Sequence, residues 1–124
     1  SAVFRQALAA HDRARLLEAH TLLAAAGGAQ PDLDAPSALV LIRALNAAGR
    51  RTEALTWLAR TLRREPGGPA TLGLLFEWAE TLAASGDPER AGALFRLIAT
   101  VFPNDQLARS AEWRAREIAG TQPA

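Results

Sequence analysis

The chain contains no cysteine, no methionine and no tyrosine, and all fourteen of its cationic side chains are arginine. Without thiols there can be no disulfide and no thiolate metal site, and the redox compartment stays open. No apolar run approaches the ~20 residues that a membrane-crossing helix needs. The amino terminus lacks the charged-then-apolar pattern of a secretion signal. Fourteen arginines against thirteen acids leave a net charge of +1. That is too little for a surface that neutralises phosphates, so no nucleic-acid partner is expected. Arginine without lysine, beside abundant alanine, leucine, glycine and proline, reads as the codon bias of a GC-rich bacterial genome. A start at Ser1 with no methionine fits a fragment of a larger bacterial protein or a tag-cleaved product. A cytoplasmic setting is expected, with the periplasm as the alternative.

What is present is helix-forming. Hydrophobic residues make up 49% of the 124 and charged ones 22%, the balance of one soluble domain that buries roughly two-thirds of its unfolded surface. No stretch alternates apolar and polar residues with β-branched side chains as a strand would. Apolar periodicity predicts helices over 3–10, 13–26, 36–48, 52–65, 70–84, 88–101 and 105–119, with the first two able to join through His11-Asp12. Gly49 and Gly86 fall where a helix end needs a left-handed residue. Pro66-Gly67-Gly68-Pro69 breaks the chain. Asp87-Pro88-Glu89 reads as a helix start: a capping acceptor, a proline at the first helical position, then an acid in the first turn. Asn104-Asp105 offers a similar start for the last helix.

Residues 45–66 and 82–103 are two copies of one unit. Leu45/Leu82, Ala47/Ala84, Gly49/Gly86, Ala54/Ala91 and Pro66/Pro103 recur at a constant offset of 37. A fixed period of this size marks stacked supersecondary units, each too small to bury its own apolar face. Ala54, Leu55, Leu58, Thr61 and Leu62 share one helix face, as do Ala91, Leu94, Phe95, Ile98 and Phe102. Ala54 and Ala91 are small enough to let a neighbouring helix come close. The short connections at Gly49 and Gly86 force antiparallel hairpins.

This pattern resembles the tetratricopeptide repeat. It has a helix A, a turn glycine, a small residue five positions on, a large apolar residue four later, and a proline closing helix B. Those residues are Gly49, Ala54, Leu58 and Pro66, then Gly86, Ala91, Phe95 and Pro103. Leu41 and Trp78 take the large apolar site of helix A. The period exceeds the family's ~34 residues by Gly67-Gly68-Pro69, and Ile42 stands where the family prefers glycine or alanine. The resemblance implies an all-α, right-handed superhelix of stacked antiparallel hairpins with about seven helices. It organises residues 1–124 as one domain: a degenerate copy over 1–31 (matched through Ala19, Leu23 and Pro31), copies over 35–66 and 72–103, and a capping helix over 105–119.

No catalytic constellation stands out, so no enzyme, cofactor or metal is expected. His11 and His20, nine residues apart, lack zinc-pair spacing and read as surface or turn residues. None of Ser1, Ser37, Ser85 and Ser110 sits in a nucleophile elbow. Glu77 and Glu80 fit a solvated helix face. Arg50, Arg51, Arg60, Arg63 and Arg64 form a basic cluster; a solvated convex face favoured by the helix macrodipole is the expected account, and contact with nucleic acid or an acidic lipid surface is the alternative. The better candidates are Leu39, Arg43 and Asn46 on one helix A, and Phe76, Glu80 and Ala83 one repeat later. By resemblance they line a concave groove that holds a protein or peptide partner, with Phe4 and Leu8 extending it. Arg43 and Asn46 would grip a carboxylate or backbone, and Phe76 an apolar side chain; the alternative is an inter-repeat ion pair between Arg43 and Glu80. Trp113 points away from the last helix's apolar stripe and is a candidate interface residue, in a partner complex or a homodimer. Trp57 is placed at the edge of its stripe and Trp78 in the core. The expected function is a non-catalytic protein–protein interaction scaffold. The alternative is a structural or oligomerisation module attached to a membrane protein or enzyme outside this chain.

Overall fold

In the computed structural model, which describes residues 2–10, 12–25 and 33–121, the local signals in the chain become seven helices. They are α1 (Ala2–Ala10), α2 (Arg13–Ala25), α3 (Ala35–Ala47), α4 (Arg51–Arg64), α5 (Thr71–Ala84), α6 (Pro88–Val101) and α7 (Gln106–Thr121). No strand occurs among the described residues, so the fold is all-α.

The helix ends have identifiable causes. α3 and α5 both stop in a left-handed glycine, Gly49 at φ 77° and Gly86 at φ 84°. At each end two backbone bonds close the same motif. Gly49 N–H donates to Asn46 O and Arg50 N–H to Leu45 O; Gly86 N–H donates to Ala83 O and Asp87 N–H to Leu82 O. Asp87 then caps α6 by accepting from the Arg90 N–H at 3.3 Å, with Pro88 in the first turn. At α7 the cap is Asp105, which accepts from the Leu107 N–H at 2.9 Å. Asp12 separates the first two helices, its carboxylate accepting from the Arg15 N–H at 3.2 Å. The start of α3 is capped from a distance: the Ala35 N–H donates to Glu65, 30 residues away, at 3.1 Å.

The chain divides at the Pro66 break into two compact units, Ser1–Glu65 and Pro66–Ala124. In the first, α1 and α2 pair, α3 packs on both of them, and α4 packs on α3. In the second, α5 and α6 pair and α7 packs on both. Ala54 and Ala91, the expected close-approach residues, are both fully buried. The core of the second unit joins Ala79, Ala91, Phe95, Ile98, Ala111, Ala115 and Ile118.

Three expectations about burial give way. Trp57 is in the core at 1% exposure, while Trp78 is 38% exposed. The buried face of α4 is Ala54, Trp57, Leu58 and Thr61, with Leu55 and Leu62 half-buried. The seam is therefore rotated toward Trp57 by about one position. His20, expected at the surface or in a turn, is 4% exposed. His11 lies outside the described residues, as do Pro31 and the side chains of Phe4 and Leu23.

The first hairpin also shows its own register. α1, α3 and α5 end at Ala10, Ala47 and Ala84, 37 apart, whereas α2, α4 and α6 begin at Arg13, Arg51 and Pro88. Ala7, Ala44 and Thr81 are then equivalent, and all three are buried. Counting from the helix starts matches Leu16 with Ala54, Ala19 with Trp57 and His20 with Leu58, all buried. In that register Ala19 is not the counterpart of Ala54.

Candidate functional site

Two adjoining hollows open along α3 in the first unit. One, of about 360 Å³, lies between α1 and α3 and is lined by Arg5, Leu8, Ala9, Pro36, Ser37 and Val40. The other, of about 180 Å³, is lined by Arg13 and Leu16 of α2 and by Val40, Arg43 and Ala44 of α3. Val40 belongs to both. On α3 the lining residues recur every three or four positions, so they form one face. Its opposite face carries Ala38, Leu41, Ile42 and Leu45 into the core.

Helical phase decides which of the expected residues reach these hollows. Arg43 is exposed and lines the smaller one; Leu8 is half-buried and lines the larger. Leu39 and Asn46 sit on the flank of the buried seam, are half-buried, and line neither. Pro36, Ser37 and Val40 take the places that Leu39 and Asn46 were expected to fill. The charge is one-sided. Arg5 is the charged residue of α1 and Arg43 that of α3; with Arg13, three arginines line the hollows, and no acidic residue is among their described lining residues.

In the second unit the expected residues are drawn into packing. Phe76 is half-buried and meets Phe95 edge-on, the ring centroids 5.2 Å apart. Arg114 Nε of α7 donates to Glu80 Oε1 at 2.6 Å. The same guanidinium lies over the Phe95 ring, 5.7 Å from its centroid, and 3.5 Å from Glu117. The hydrogen bond that Arg114 donates to Glu80 outweighs partial desolvation and strengthens the hold of Arg114 on its proton. Trp113 is 64% exposed, opposite the buried Ala108, Ala111, Ala115 and Ile118.

A polar cluster that sequence reasoning missed joins α2 to α4. The Trp57 indole Nε1–H donates to His20 Nε2 at 3.0 Å. His20 Nδ1 stands 3.3 Å from Glu53 Oε2. Arg50 donates twice to Glu53, each bond 2.7 Å, and a third time to Thr21 Oγ1 at 2.9 Å. On the other side, the Arg60 guanidinium covers the Trp57 ring at 5.3 Å. Burial holds the His20 imidazole below its ordinary pKa, against the pull of Glu53 and with the help of Arg50. The bonds from Arg50 hold Glu53 below the usual carboxylate range. One signal for this cluster was legible: Leu16, Ala19, His20 and Leu23 follow the i, i+3, i+4, i+7 spacing of a buried seam.

The cluster has the makings of a base and its orienting acid, but its geometry is closed. The nitrogen that would take a substrate proton is occupied by Trp57, and the ring is buried. No group of three or more metal-ligating side chains gathers among the described residues. No helix among them is long and apolar enough to cross a membrane. No family model matches the chain, and no curated protein and no solved structure matches it either.

Proposed function

We propose that this chain is a non-catalytic, tetratricopeptide-like scaffold that holds an acidic peptide against the α3 face of its first unit. The packing supports the architecture: α3 rests on both members of the hairpin before it, and α7 does the same in the second unit. Within the first unit, α1 and α3 line one hollow together, a surface that suits an extended ligand.

The observation that carries the reading is the pair of hollows along α3. Leu8 and Val40 offer apolar surface, and Arg5, Arg13 and Arg43 are the charged residues among the described lining. Arginine suits this role because its planar fork can meet a carboxylate with two parallel bonds.

The test is fluorescence anisotropy with labelled peptides of matched length, acidic, neutral and basic, each with interspersed leucines. Acidic peptides bind best, and raised salt weakens them because the rim is exposed. Arg43→Glu lowers that affinity about tenfold or more, as reversing a contact charge does. It shifts the melting temperature by no more than a few degrees, being a surface change. Equal binding of acidic and basic peptides, or an unmoved affinity in Arg43→Glu, removes the groove from consideration.

A second reading has its own observation. Leu97 and Val101 of α6 and Trp113 of α7 are large apolar side chains exposed in the second unit, which suits a module that assembles with another copy. Light scattering that shows a dimer dissolved by Trp113→Ser would favour it.

A further inference from the structure

We propose that His20 and Trp57 form an acid-released latch that fastens α2 to α4 in the first unit. Hydrogen bonding sets the direction of the switch. An indole N–H can only donate, so the 3.0 Å contact requires His20 Nε2 to be an unprotonated acceptor. The proton of the neutral ring therefore sits on Nδ1, the nitrogen that faces Glu53 at 3.3 Å. Acid adds a second proton at Nε2, and two N–H groups then point at each other across the contact. The bond cannot survive that change, and the indole N–H is left without its acceptor in a buried place.

The charged groups acting on the imidazole are Glu53 of α4 and Arg50, the residue that precedes α4. Among the described residues, α1 and α3, the other elements packed on α2, add none. Glu53 attracts an imidazolium, but both of its oxygens are already held by Arg50 at 2.7 Å. It cannot compensate fully for a buried positive charge facing an indole donor. Burial accordingly keeps the folded-state pKa of His20 below its unfolded value near 6.5. A group shifted in this direction contributes stability that is fully present above its unfolded pKa and is lost as pH falls through its folded pKa. Thr21 and Arg50 form a second tie between the same two helices that does not titrate in this range. Acid therefore loosens α2 without releasing it outright.

The experiment is nuclear magnetic resonance on the full chain carrying His11→Gln, which removes the other histidine signal. Between about pH 7 and about pH 5, the range in which histidine switches, the Trp57 indole resonance should move in step with His20. Over the same range, amide protection in α2 and α4 should fall on the order of tenfold relative to α6 and α7. His20→Gln keeps an acceptor for the indole but cannot titrate, so both responses should vanish. Trp57→Phe removes the donor, and the His20 titration should move up toward its ordinary value. The latch is overturned if His20→Gln shows the same acid response as the parent. An ordinary His20 titration with a stationary indole signal, or a titration unmoved by Trp57→Phe, overturns it as well.

Discussion

Gly49 and Gly86 hold the same left-handed conformation, φ 77° and 84°, and each ends a first helix with the same two backbone bonds. A Cβ at Gly86 would meet nothing within 4 Å, and one at Gly49 only the tip of Arg51. The requirement is thus conformational and not steric crowding. Gly49→Ala and Gly86→Ala should each cost about 1 kcal/mol in urea unfolding. Gly92, inside α6, is the contrast: its Cβ would find ordinary contacts at 3.6 Å and 3.8 Å. Gly92→Ala should stabilise by about 0.5–1 kcal/mol, since it removes a flexible residue from a helix interior. A loss at Gly92 equal to that at Gly86 would refute the distinction.

Ala54 and Ala91 are both fully buried at the point where α4 and α6 meet their neighbours. Leucine there adds volume to an already filled seam, forcing side chains off their rotamers. Ala54→Leu and Ala91→Leu should each destabilise by about 1–3 kcal/mol in the same assay. Gain of stability at either position would mean that the helices do not approach closely there.

Arg114 binds Glu80 while its guanidinium covers Phe95. Both side chains are about one-third exposed, 31% and 36%, so water screens much of the ion pair. A double-mutant cycle with Arg114→Met and Glu80→Gln should give a coupling of about 0.5–1 kcal/mol that shrinks in high salt. Arg114→Met should preserve part of the packing on Phe95, whereas Arg114→Ala should lose it and cost more. Identical losses for the two substitutions would leave the ring contact without energetic weight.

Local signals were the legible part of this chain. The glycine at each first-helix end, the aspartate and proline opening α6, and the break at Pro66 each act within a few residues. Their consequences follow from φ, from a missing amide proton, or from a carboxylate placed beside free N–H groups. The helices accordingly begin and end within a residue or two of their expected positions. The small residues at Ala54 and Ala91 were also readable, because a repeat at 37 states twice that nothing larger fits.

Rotation of each helix about its axis was decided only by packing. Successive positions turn by about 100°, so a seam drawn through Leu55 and Leu62 differs little in pattern from one through Trp57. Which of them goes inside depends on the neighbour, and here α4 presents Trp57 to His20 of α2. The same rotation puts Val40 beside Arg43 in the α3 hollows and leaves Leu39 and Asn46 on the flank. Glu80 finds Arg114, 34 residues away, for the same reason. Backbone preferences are settled by the few atoms nearest each residue and can be read along the chain. The choice of partner across helices is a contest among distant surfaces for burial and hydrogen bonds, and only the packed structure resolves it.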